Sequence, residues 1–305
     1  MFETKTLSEI LREEPKLFVP GIYDCLSARI MEKNAFPAMY LPADCVAASF
    51  CGVPDACLIA SADLINVVQR ITALSAVSLI ADIDSGFGSQ INVIRTCERI
   101  AACGAKAISL SDKQFLRTPL SRETTSLNDF IGKVEAARYG IGEARCDLLV
   151  RVDCAPVLGL DEAIRRCNAA VAHGALGSCI TGVTEKADLE RICSEVAGVK
   201  IFEMVNDEEI RYSCDELMQM GFDVVWAPYV SMCGAMTCIQ ELATDAYINK
   251  NDFKAEERGY STYAKFELLK IHEWYALGQK FGQEVQDAKD IDPDDYLKSQ
   301  HSTKQ

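Results

Sequence analysis

The chain has 305 residues, is 49% hydrophobic and carries a formal charge of −14. That apolar fraction suffices for a large globular core, and the charge argues against a nucleic-acid or anionic-membrane surface, both of which need clustered cations. No apolar run approaches the ~20 residues that span a bilayer, and Met1-Phe2-Glu3-Thr4-Lys5 opens a polar segment without the apolar core of a signal peptide.

Apolar, often β-branched runs recur along the chain with amphipathic stretches between them. The pattern predicts strands near Leu17–Pro20, Ala38–Leu41, Val77–Asp82, Ala107–Ser111, Leu148–Asp153, Leu176–Ile180, Lys200–Met204 and Val224–Ala227. Helices are predicted at Asp63–Leu74, Ile91–Ala102, Leu127–Arg138, Asp161–His173 and Lys186–Val196. Ser61 and Asp161 mark helix starts, and Gly104, Gly174 and Gly221 mark stops. Strands alternating with helices imply parallel pairing through βαβ crossovers. Eight such units favour a closed (β/α)8 barrel, a fold of about 250 residues. The expected organisation is a barrel over residues 1–245 followed by a C-terminal helical arm and acidic tail over 246–305. In the arm, Trp274, Leu277 and Phe281 recur at helical spacing. With Phe266 they form an apolar face outside the barrel, suited to packing or oligomer contact. Asp287, Asp290, Asp292, Asp294 and Asp295 make the tail polar.

The cysteines number 14, but no Cys-x-x-Cys pair occurs and the three histidines, His173, His272 and His301, are scattered. Structural zinc is therefore disfavoured. The thiols read as reduced, mostly buried side chains of a cytoplasmic protein, used as small hydrophobes.

The chemistry gathers at strand ends. Ser78-Leu79-Ile80-Ala81-Asp82-Ile83-Asp84-Ser85-Gly86-Phe87-Gly88 closes an apolar run on two carboxylates two residues apart, hence on one face of a strand. Such a pair suits Mg2+, which takes one or two carboxylates and keeps waters; as a rival reading, the aspartates simply form the turn. In a barrel the active site lies at the C-terminal ends of the strands. The polar residues there are Asp44, Asp82, Asp84, Ser111, Asp112, Arg151, Asp153, Thr181 and Glu203, with Asp55 in the long connection after the second strand. A cation site beside a guanidinium is equipment for stabilising an enolate. The alternative for Arg151 is a barrel-mouth ion pair to Asp153 or Glu203.

Three stretches resemble the isocitrate lyase / phosphoenolpyruvate mutase family. They are Pro20-Gly21-Ile22-Tyr23-Asp24-Cys25-Leu26-Ser27-Ala28, Gly52-Val53-Pro54-Asp55, and Asp82-x-Asp84-x-Gly86-Phe87-Gly88-x-x-x-Asn92-Val93-x-Arg95-Thr96. Weaker similarity, including Arg151-x-Asp153 and Asp161-Glu162-Ala163-Ile164, runs to about residue 245. The resemblance implies a (β/α)8 barrel with a last helix exchanged between subunits in a dimer of dimers, a homotetramer. It also implies a Mg2+ cofactor, with Mn2+ as substitute, and a small carboxylic acid substrate. Carried over, Asp82 is a metal ligand, Asp84 a supporting carboxylate, and Asp55 and Arg151 are catalytic. Tyr40, Ala43, Asp44, Arg151 and Glu203 fall at substrate-binding positions.

The chain also departs from the family. Where its lyases carry a Lys-Lys-Cys-Gly-His loop with a general-acid cysteine, this sequence reads Leu116-Arg117-Thr118-Pro119-Leu120-Ser121. The family's Glu-Asp pair is Ser111-Asp112, its Ser-Gly turn is Pro42-Ala43, a later glutamate is Thr181, and an asparagine is Glu203. Isocitrate-type cleavage is therefore not expected. The expected activity is Mg2+-dependent C–C cleavage or decarboxylation of a small 2-oxo or 2-hydroxy acid through an enolate. The alternatives are a phosphonate C–P mutase or hydrolase, and a descendant that has lost catalysis and binds a ligand or partner.

Overall fold

In the computed structural model, residues 4–115, 123–205, 211–259 and 261–282 are described. Eight parallel strands form one sheet: β1 (Leu17–Pro20), β2 (Ala38–Leu41), β3 (Ser78–Asp82), β4 (Ala107–Ser111), β5 (Asp147–Val152), β6 (Gly177–Ile180), β7 (Val199–Glu203) and β8 (Val224–Ala227). The ladder runs β1-β8-β7-β6-β5-β4-β3-β2. A parallel bridge between Gly21 and Tyr40 joins its two ends, with Ile22 N–H donating to Tyr40 O at 2.8 Å. The predicted (β/α)8 barrel is the observed fold, and each predicted strand lies within a residue of its observed bounds.

Period-two alternation sorts the strand residues into two cores. Leu17, Val19, Ala38, Tyr40, Ile80, Ala107, Leu149, Cys179, Ile201, Val224 and Trp226 fill the barrel interior. The alternate residues, such as Met39, Leu79, Ile108 and Val150, pack under helices including Ser61–Leu74, Gln90–Ala102, Leu127–Ile141 and Leu160–Ala172. Continuing the inward parity along the strands places Asp82, Ser111, Arg151, Thr181 and Glu203 above this interior core.

The N-terminal helix Leu7–Glu13, which periodicity did not reveal, plugs the other end of the barrel. Its Leu7 and Ile10 join the interior core, and Asp147, opening β5, accepts hydrogen bonds from Ser8 N (2.7 Å) and Ser8 Oγ (3.1 Å). At Gly21 the chain passes so close to Pro228 that a Cβ would stand 1.7 Å from its carbonyl oxygen, so a side chain is excluded.

Residues up to Ala235 form one compact unit and those from Met236 onward a second. The second unit contains helices Phe253–Arg258, Thr262–Leu268 and Ile271–Lys280. Trp274, Leu277 and Phe281 are exposed, as are Ile239, Tyr247, Ile248 and Phe253. The acidic tail from Asp287 to Asp295 lies outside the described residues. Among those described, no helix is long and apolar enough to cross a membrane.

Candidate active site

β3 ends on Asp82, only 2% exposed, and the chain then turns through a left-handed loop. Asp84 (φ +47°), Gly86 (+88°), Phe87 (+61°) and Gly88 (+144°) all lie at positive φ. Aspartate tolerates that region because its short side chain bonds locally. The coil is pinned by Asp84 N–H to Asp82 Oδ1 (2.9 Å), Gly86 N–H to Ile83 O (2.8 Å) and Ser111 N–H to Asp84 O (2.7 Å). At Gly86 a Cβ would sit 2.3 Å from Val93 Cγ2, so this turn needs its glycine. Lys133, buried on helix Leu127–Ile141, holds the loop from behind by donating to Ser85 O at 3.2 Å.

The loop and strand ends converge on Arg151. Its Nη1 donates to Asp82 Oδ2 at 3.1 Å and its Nε to Asp153 Oδ2 at 3.3 Å, while Nη2 lies 3.8 Å from Asp84 Oδ1. One guanidinium thus serves three carboxylates in a nearly dry setting, where charge-assisted bonds are strongest. Asp153 also accepts from Ser111 Oγ (2.7 Å) and Thr181 Oγ1 (2.8 Å), with Lys113 Nζ at 3.7 Å. Burial works to raise the Asp153 pKa, but Arg151, Lys113 and the two hydroxyls overcome it and hold the group below the usual carboxylate range. For Asp82 burial prevails and the pKa rises despite Arg151.

Behind this cluster Asp112 is fully buried. It accepts from Asp153 N at 2.8 Å and from Arg166 Nη1 at 2.9 Å, and Arg166 also donates to Glu162 at 3.0 Å. Asp112 therefore fixes the backbone that carries Asp153 and Arg151. Burial pushes its pKa up to about 6.

Across the mouth, Asp44 lies half-buried in the short helix Ala43–Val46 after β2, accepting from Tyr229 OH at 2.8 Å. Tyr40 stacks on Trp226 with ring centroids 4.4 Å apart, and its buried hydroxyl has no partner among the described residues. Glu203, ending β7 in register with Trp226, has a buried Oε2 likewise without a partner among the described residues. Asp55 is exposed in the connection after the π-helix Ala47–Cys51, where it lines a small pocket with Ala43, Asp84, Phe87 and Phe115.

The residues predicted from sequence thus share one end of the barrel. Asp82, Asp84, Arg151 and Asp153 touch directly; Asp44, Tyr40 and Glu203 ring them, and Asp55 sits at the rim beside Asp84. Tyr229, Lys113, Lys133 and Arg166 were not anticipated. Only Lys113, two residues beyond β4, carried a positional signal; the others lie on connections or helix faces whose approach depends on closure of the barrel. The segment Leu116–Ser121 lies outside the described residues.

The donor set is compatible with Mg2+. Asp82 and Asp84 offer two hard oxygen donors at one strand end, enough for a cation that retains waters. Among the described residues, the carboxylates Asp44, Asp82, Asp84 and Asp153 outnumber the cations Arg151, Lys113 and Lys133 that act on them. Among the described residues no group of three or more His, Cys, Asp or Glu makes a ready metal cluster, so the protein alone supplies no full cage.

Residues 7–246 match the model of the family "Phosphoenolpyruvate phosphomutase". The petal death protein of Dianthus caryophyllus is 25% identical, over 90% of this chain and 88% of that protein. The 2,3-dimethylmalate lyase of Eubacterium barkeri is 26% identical, over 78% and 84% respectively. Among solved structures, phosphonopyruvate hydrolase in complex with oxalate and Mg2+ superposes with a TM-score of 0.82 at 20% identity, covering 92% of this chain and 99% of that one. The chain belongs to the phosphoenolpyruvate phosphomutase family, and the relatives it resembles include a carbon–carbon lyase, the 2,3-dimethylmalate lyase.

Proposed function

We propose that the protein is a Mg2+- or Mn2+-dependent lyase or decarboxylase acting on a small 2-oxo or 2-hydroxy carboxylic acid through an enolate. The observation that carries this reading is the Arg151 guanidinium seated among Asp82, Asp84 and Asp153 at the strand ends. Asp82 and Asp84 are the residues that would hold the divalent cation. When bound, such a cation polarises a keto oxygen and stabilises negative charge developing there. Arg151, released from Asp82 and still anchored by Asp153, presents its planar fork to the substrate carboxylate. Tyr40, Ala43 and Asp44 line the substrate side, where Pro42 offers no N–H and Asp44, oriented by Tyr229, accepts a hydroxyl. Asp55 closes over the substrate from the rim.

Calorimetry with Mg2+ or Mn2+, with and without oxalate as an enolate mimic, tests the site. Turnover is tested on oxaloacetate, its C-methylated relatives, 2-methylisocitrate, dimethylmalate and phosphonopyruvate. Cleavage of phosphonopyruvate alone moves the reading to C–P chemistry, which the placement of Asp55 beside Asp84 favours as the second choice. Absence of both turnover and oxalate binding overturns the enzymatic reading.

A further inference from the structure

Enolate chemistry needs a proton for the carbanion carbon, and the stretch Leu116–Ser121 carries no cysteine to give one. The structure places another acid at the mouth. Glu203 is the terminal residue of β7, of the same inward parity as Ile201 below it, and so it projects above the interior core beside Trp226. It makes no hydrogen bond or ion pair among the described residues, and its Oε2 is buried. A buried polar atom without a partner calls for an explanation such as a ligand or a catalytic role. The carboxylates around it are engaged: Asp82, Asp84 and Asp153 by Arg151, and Asp44 by Tyr229.

We propose that Glu203 is the acid of this site and delivers its carboxyl proton to the enolate carbon; the proposal rests on the enolate reading above. The scissile C–C bond breaks with its electron pair entering the enolate. The enolate carbon then takes the proton, a C–H bond forms as the Glu203 O–H bond breaks, and the resulting carboxylate regains a proton from solvent. The surroundings support a protonated Glu203. It feels Arg151 from β5, Asp153 just after it, Asp82 from β3, and Asp44 after β2, with Tyr40, Cys179 and Tyr229 also near. Burial, with three carboxylates against one guanidinium, pushes its pKa up to about 7. A substrate carboxylate entering the mouth adds negative charge and favours the protonated form further.

The test uses the full chain with Mg2+ and 3-methyloxaloacetate in D2O, the 2-oxobutanoate product being trapped at once by reduction. Wild type should place deuterium at C3 in one configuration. Glu203→Gln, nearly isosteric, should bind oxalate within a few-fold of wild type by calorimetry, lose ~10²–10⁴ in kcat, and give both configurations as free enolate is quenched by water. Glu203→Asp, which keeps the acid, should be slow but stereospecific. A Glu203→Gln variant that retains a single configuration shows that the proton comes from elsewhere and overturns this assignment, leaving the enolate reading intact. Failure of wild type to turn over any candidate acid overturns the enolate reading and this assignment together.

Discussion

Arg151→Ala tests whether one guanidinium is what allows three carboxylates to share the barrel mouth. The side chain is 12% exposed and its partners Asp82, Asp84 and Asp153 are 3%, 16% and 10% exposed, so water can do little to replace it. Removing one partner of a buried ionic cluster typically costs about 3–5 kcal/mol, because uncompensated charge stays behind. The lower end applies at neutral pH, since Asp82, already raised by burial, can take up a proton once Arg151 no longer opposes that shift. The sign of the pH dependence follows from Asp153. Its folded pKa lies below its unfolded value, so its contribution is full above the unfolded pKa and is lost as pH falls through the folded one. Arg151→Ala removes the largest favourable partner of that group. The gap between wild type and variant should therefore be about 3 kcal/mol at pH 7.5, persist down to about pH 4, and narrow only as pH falls below that toward the folded Asp153 pKa. Urea unfolding followed by far-UV circular dichroism measures it as a shift in midpoint at constant slope. Equal midpoints at pH 7.5, or a gap independent of pH, would refute the cluster as an energetic unit. Arg151→Lys should restore only part of the loss, because an ammonium cannot span three carboxylates.

Wild type should bind Mn2+, detectable by electron paramagnetic resonance, whereas Asp82→Ala should bind none while remaining folded; equal affinity removes Asp82 from the metal site. Wild-type binding is expected to be weak, since Ser111 stands where the family has a glutamate. Glu203→Gln should stabilise the protein at high pH. The folded pKa of about 7 exceeds the ordinary glutamate value of 4.5, so wild-type stability falls as pH rises between those values, by on the order of 3 kcal/mol, and is level above. The advantage of the variant should vanish below about pH 4.5, and an advantage that persists there means packing, not charge, is responsible. Truncation after residue 245 removes an arm bearing exposed Trp274, Leu277 and Phe281, side chains suited to cover by a second copy in the expected dimer of dimers. Light scattering should then show aggregated or unstable protein in place of an ordered oligomer; a soluble, well-folded monomer shows that the arm is an appendage.

The fold was legible in the sequence because its information is local. Val77–Asp82 and Ala107–Ser111 announce strands by apolar β-branched runs, Ile91–Ala102 announces a helix by its period, and alternation of the two dictates parallel pairing. The Asp82-Ile83-Asp84 spacing and the glycines after it likewise placed two carboxylates on one face at a strand end. The partners of those carboxylates could not be read this way. That Arg151 reaches Asp82 and Asp84, and not Asp153 alone, depends on inward parity together with ring closure through the Gly21–Tyr40 bridge, which brings β3 and β5 to a common centre. Asp44 meets Tyr229 across 185 residues, and Arg166 meets Asp112 from a helix face, so no periodicity encodes either contact. Burial is also decided only in three dimensions. Glu203 and Asp153 are both carboxylates at strand ends, yet one is pushed up to about 7 and the other held below the usual range. The difference lies in the donors that the closed barrel brings to one and withholds from the other.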